Sequence, residues 1–202
     1  MKKIKGLFHE LKHHLPFTAA ATLIAIVVVL FVGYYARTSI SENLFEILHP
    51  LHVLASSIVT AGIFYKYKPK FIPALLVGIS GAIILGSLSD IIFPWLGGNL
   101  LNLKTSFHLP IIEEPFLILA SALVGCFIGI TTGKTKIPHF VHISLSVFAS
   151  LFYLLAFSQQ FNMIYFLGAF VIVFISVIVP CCISDILFPF FFLGEKIKHC
   201  KC

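Results

Sequence analysis

The sequence predicts an all-α integral membrane protein, with about six transmembrane helices arranged as two inverted-topology three-helix repeats. Three observations lead there. Only 11% of the residues are charged and the mean hydropathy is +1.04, whereas soluble domains carry about 25% charged residues. Six apolar segments follow one another with short connections. One polar pattern, His-x-x-His-x-x-x-Ser-x-x-x-(Thr/Ser), occurs twice, 90 residues apart.

The apolar segments run approximately over 16–35, 50–66, 72–96, 115–132, 138–157 and 163–193. A bilayer crossing needs about 20 residues. The first, second, fourth and fifth are sized for one crossing. The third and sixth are too long, so a break, a kink or a tilt is expected in each. Pro94 and Pro189 supply the breaks, because proline removes a backbone donor and crowds the preceding turn. The first segment lacks a small-x-small cleavage site and precedes five others, so it reads as a helix and not as a cleaved leader. The expected organisation is a cytoplasmic segment (1–15), transmembrane repeat 1 (16–98), an outer linker (99–112), transmembrane repeat 2 (113–193) and a cytoplasmic tail (194–202).

Charge sets the orientation. Lys2, Lys3, Lys5 and Lys12 precede helix 1, Lys66, Lys68 and Lys70 follow helix 2, Lys134 and Lys136 follow helix 4, and Lys196, Lys198 and Lys201 follow helix 6. Only Arg37 and Lys104 fall on the opposite side. The positive-inside rule then places both termini in the cytoplasm, as in a prokaryotic inner-membrane protein. The net charge of +6 is a topology signal and not a nucleic-acid patch. Cys126, Cys181 and Cys182 lie in apolar segments and Cys200 and Cys202 in the tail, which is no disulfide framework.

The repeat has three landmarks in order. His14-Leu15-Pro16-Phe17 matches Glu113-Glu114-Pro115-Phe116. His49, His52, Ser56 and Thr60 match His139, His142, Ser146 and Ser150. Ser89-Asp90-Ile91-Ile92-Phe93-Pro94 matches Ser184-Asp185-Ile186-Leu187-Phe188-Pro189. Three helices per repeat make the second copy enter the membrane from the other side.

The repeated residues are the candidate site. Spacings of three and four put each His/Ser/Thr set on one helix face, and such a stripe in lipid must face protein, water or a ligand. Asp90 and Asp185 are the acidic residues within the apolar segments, where a carboxylate must be paired, protonated or bound to a cation. The alternative role is capping of a short terminal helix. His49, His52, Asp90, His139, His142 and Asp185 are thus expected to bind a metal ion or protons, since imidazole with carboxylate suits a borderline divalent ion. His49 and His52 are expected at the outer end of helix 2, and His139 and His142 at the inner end of helix 5. The two clusters would then be entry and exit sites, or would meet in one centre. Ser56, Thr60, Ser89, Ser146, Ser150 and Ser184 would line a pathway, and His14, Glu113 and Glu114 a vestibule. Helix N-terminal carboxylates are also favoured by the helix dipole alone. His9, His13 and His108 read as surface residues. Gly78, Ala82 and Gly86 permit close helix approach, within the chain or in a homodimer.

The function expected is transport, not catalysis: a small multi-pass carrier of a divalent transition-metal cation as substrate, coupled to protons in one version. The partners are the lipid bilayer and the metal ion or a small solute. The alternatives are a membrane-embedded haem or metal-dependent enzyme and a proton-coupled carrier of a small organic solute. Neither His-Glu-x-x-His nor Gly-x-Ser-x-Gly occurs. At the level of architecture alone, the arrangement resembles small six-helix metal-ion exporters built from three-helix inverted repeats. Their acidic motifs do not occur here.

Overall fold

A computed structural model describes residues 19–28, 38–133, 136–158, 166–182 and 188–193. Among them the secondary structure is helical, with no strand and one isolated antiparallel bridge between Thr105 and Ser158. The elements are α1 (Ala19–Val28), α2 (Thr38–Tyr67), α3 (Phe71–Ser87), a π-helical turn (Leu88–Ile92), α4 (Phe93–Leu100), α5 (Pro110–Glu113), α6 (Pro115–Thr132), α7 (Lys136–Phe157), α8 (Phe166–Cys182) and α9 (Phe188–Leu193). Among the described residues, three stretches are long and apolar enough to cross a membrane: Ser41–Tyr67, Phe71–Leu100 and Pro115–Thr132. Shorter apolar helices cover Ala19–Val28, Val141–Phe157 and Gly168–Pro180.

The fourth predicted segment coincides with α6, whose ends are chemically marked. Pro115 opens the helix, where its missing N–H costs nothing. Gly133 closes it in the left-handed region (φ 60°), with its N–H donating to the Gly129 carbonyl at 3.1 Å. The second segment is longer than predicted. α2 begins at Thr38 and carries Pro50 inside it. Tertiary packing holds that turn: Pro50 is buried, and so are His49 and His52 on either side of it.

The third segment is not broken at Pro94. It continues as one apolar helical stretch to Leu100, through the π turn. The Phe93 N–H donates to the Leu88 carbonyl, five residues back. Pro94 has no N–H for the Asp90 carbonyl, and its ring would crowd that carbonyl in a straight α-helix. The extra residue in the turn widens the helix there without ending it. The sixth segment divides into α8 and α9, and residues 183–187 between them, including Ser184 and Asp185, lie outside the described residues.

α2 is the most buried of the three long stretches and α6 the least. Small residues let these two approach. A methyl group on Gly125 would strike the Leu54 carbonyl and the Ser57 hydroxyl, and one on Gly129 would strike the Ile58 carbonyl. Gly78 of α3 stands equally close to Ala61 and to the Cys126 thiol, so the small-residue face of α3 packs inside this chain at that level. On its other side α2 meets α7, around a core that includes Phe45, Val147, Leu151 and Tyr153.

The predicted outer linker is ordered. Asn99 Nδ2 donates to the carbonyls of Trp95 (2.9 Å) and Thr105 (3.0 Å). The Ser106 N–H donates to the Phe157 carbonyl at 2.9 Å, tying the linker to the end of α7.

Candidate functional site

Helical spacing places His49, His52, Ser56 and Thr60 on one face of α2, and all four are buried. His142, Ser146 and Ser150 form the matching face of α7 and are buried too. The two helices pack against one another, so the stripes meet. The His52 and His142 rings lie 5.3 Å apart, tilted by 31°. The π turn brings Asp90, fully buried, to the same place.

Asp90 is the hub. Its Oδ2 receives His49 Nδ1 at 2.9 Å and His52 Nδ1 at 2.7 Å. Its Oδ1 accepts the hydroxyls of Ser89 (2.7 Å) and Ser146 (2.8 Å). An ionised carboxylate only accepts, so both imidazoles carry their hydrogen on Nδ1 in this arrangement. Four donors offset the desolvation that a lone buried carboxylate would suffer. Ser150 continues the network, donating to the Ser89 carbonyl at 3.0 Å and to the Ser146 carbonyl at 2.7 Å. In a regular helix the Ser89 carbonyl would receive the Phe93 N–H. The π turn sends that N–H to Leu88 and leaves the Ser89 carbonyl for Ser150.

The position along the helices differs from expectation. His52 lies two residues from the middle of the Ser41–Tyr67 stretch, about 3 Å at 1.5 Å per residue. Asp90 lies ten residues inside the Leu100 end of its stretch, about 15 Å. The centre is therefore not at a helix end. The apolar run underestimates α2 because its first turns are polar, from Thr38 to Glu46.

His49, His52 and Asp90 each offer a ligand atom, and these atoms lie within 4.8 Å of one another. Metal–ligand bonds of about 2 Å put ligand atoms within about 4 Å of each other, so these side chains would have to draw closer to hold an ion. His49 Nε2 is buried without a hydrogen-bond partner, which leaves one imidazole nitrogen of the centre uncommitted.

The structure joins His49, His52, Asp90, His142, Ser89, Ser146 and Ser150 into one cluster. Ser56 and Thr60 extend it along α2. The side chain of His139, and the residues His14, Ser184 and Asp185, lie outside the described residues.

Glu113 and Glu114 line a cleft of about 360 Å3 with Glu42, Glu46, His108 and Leu117. His108 is not a bystander there. Its Nε2 meets Glu46 at 2.5 Å and its Nδ1 meets Glu113 at 2.9 Å. Phe157 stacks on its ring at 4.5 Å. Phe45 touches both levels, edge-on to His108 and stacked on His49 at 5.7 Å. No sequence signal pointed to His108, because Glu46 is 62 residues away and only the return of the linker onto α2 brings them together.

No protein-family model, curated protein or solved structure matches this chain.

Proposed function

We propose that the chain is a small multi-pass membrane transporter of a divalent transition-metal cation, bound between its two halves. The observation that carries this reading is the convergence of His49, His52 and Asp90 at mid-helix depth. Apolar stretches do not retain a carboxylate and imidazoles without a use for them. On this reading Asp90 neutralises part of the ion's charge, and the imidazoles replace part of its hydration shell. His142, Ser146 and Ser150 complete the wall from the second half.

Two further facts support an inverted-repeat carrier. The paired stripes of the sequence are the surfaces that meet in the fold. The basic residues alternate in a way that fits cytoplasmic termini with six crossings between them. A second reading, proton-coupled carriage of a small organic solute, draws on the buried imidazoles beside Asp90, where His49 Nε2 has no hydrogen-bond partner and can accept a proton.

The test is metal binding by purified protein in detergent, titrated with Zn, Mn, Co and Ni, followed by uptake into proteoliposomes. The wild type is expected to bind one ion per chain. A His49→Ala/His52→Ala variant, folded by circular dichroism, is expected to bind none. A wild type that binds none of the four ions would overturn the metal reading and bring solute transport forward.

A further inference from the structure

Below the centre the α2 stripe continues as Ser56 and Thr60, at intervals of four from His52. Thr60 is fully buried, and its Oγ1 has no hydrogen-bond partner. A threonine in a helix can always bond the carbonyl one turn back. Thr60 does not, and an orphaned buried hydroxyl of this kind points to a water or ion that it serves. The residues around it are suited to a passage that opens and shuts. Gly81 of α3 faces Thr60 and leaves space where any side chain would collide. The Phe188 ring from α9 fills that space: a methyl group on Gly81 would lie 2.9 Å from Phe188 Cδ1 and 3.1 Å from Thr60 Cγ2. Phe188 is held in turn by the cluster of Phe64, Ala74 and Val77 at the Tyr67 end of α2.

We infer that the exit from the centre toward the Tyr67 end of α2 runs past Ser56 to Thr60, and that the Phe188 ring closes it there. This rests on the transport reading. When Phe188 swings off Gly81, the Thr60 hydroxyl bonds water of the ion's hydration shell as the ion leaves the imidazoles.

Two experiments test the route. Thr60→Val keeps the shape and removes the hydroxyl. It is expected to leave the unfolding midpoint and metal affinity unchanged and to slow metal uptake into proteoliposomes at least tenfold. Thr60→Cys, read at peptide level by mass spectrometry, is expected to resist a membrane-impermeant thiol reagent while Phe188 is present. It is expected to react in Phe188→Ala and in Phe188→Val, whose smaller side chains leave the space beside Gly81 open. The second variant keeps the test intact if the first fails to fold. Wild-type uptake by Thr60→Val, or equal thiol reactivity with and without the Phe188 ring, would overturn the inference. The labelling does not depend on metal, so a chain that binds no metal still reports on the route.

Discussion

The Asp90–Ser146 hydrogen bond links the two halves at the centre, beside the bond from Ser150 to the Ser89 carbonyl, and a double-mutant cycle measures it. The bond is 2.8 Å long, with both residues buried. A hydrogen bond to a charged acceptor contributes about 1.5–3 kcal/mol in soluble proteins. Cycles between transmembrane helices average about 0.6 and reach about 1.7 kcal/mol. The short distance and the ionised acceptor put this pair at the upper end, at about 1.5 kcal/mol, or roughly tenfold in the unfolding equilibrium. Asp90→Ala also strands the Nδ1–H groups of His49 and His52, while Ser89 can fall back on the Gly86 carbonyl at 3.1 Å. Two stranded donors at about 1–3 kcal/mol each predict a loss of about 3 kcal/mol for Asp90→Ala alone. Ser146→Ala should cost about 1.5 kcal/mol in the wild type and close to nothing in Asp90→Ala. The assay is reversible unfolding in mixed micelles followed by circular dichroism. Ser80→Ala is the control, since Ser80 bonds only its own helix at Leu76 and Val77. Additivity of Asp90→Ala and Ser146→Ala within about 0.5 kcal/mol would refute the reasoning.

Three other outcomes are expected. Gly125→Ala and Gly129→Ala push a methyl group into α2 backbone carbonyls and should lower stability by about 1–3 kcal/mol or more. Gly86→Ala, whose added methyl would lie 3.4–3.9 Å from Val53, His49 and His52, should unfold with the wild type in the same micelle assay. His108→Ala removes the bridge between Glu46 and Glu113. Because Glu113 is 53% exposed, stability should change by no more than about 1 kcal/mol; a larger loss by thermal unfolding would show that the bridge holds the linker on α2. Lys68→Cys and Asn102→Cys should label from opposite faces of the membrane, Lys68→Cys from the cytoplasm. Labelling of both from one face would overturn the orientation drawn from the basic residues.

How much of the site was legible can be argued from its residues. The stripes were, because spacings of three and four define a helix face whatever the helix packs on. Burial of His49, His52, His142, Ser146 and Ser150 follows from setting polar groups among apolar ones. The position of Asp90 within an apolar run marked it as the residue needing partners. The position of His49 and His52 along their helix was misjudged because hydropathy stops counting α2 where polar residues begin, although the helix continues to Thr38. The expected break at Pro94 is a π turn instead, since a local rule for proline does not include the option of inserting one residue.

The sequence by itself determined which side chains cannot face lipid and which helix face carries each of them, because periodicity and solvation are local properties. Tertiary structure decided that the α2 and α7 stripes meet on one carboxylate, that His108 joins Glu46 to Glu113, and that Phe188 and Thr60 both stand against Gly81. Apart from His108 and Glu113, which are five residues apart, those pairings span from 21 (Thr60 to Gly81) to more than 100 residues. They depend on how closely helices approach, which no spacing rule encodes.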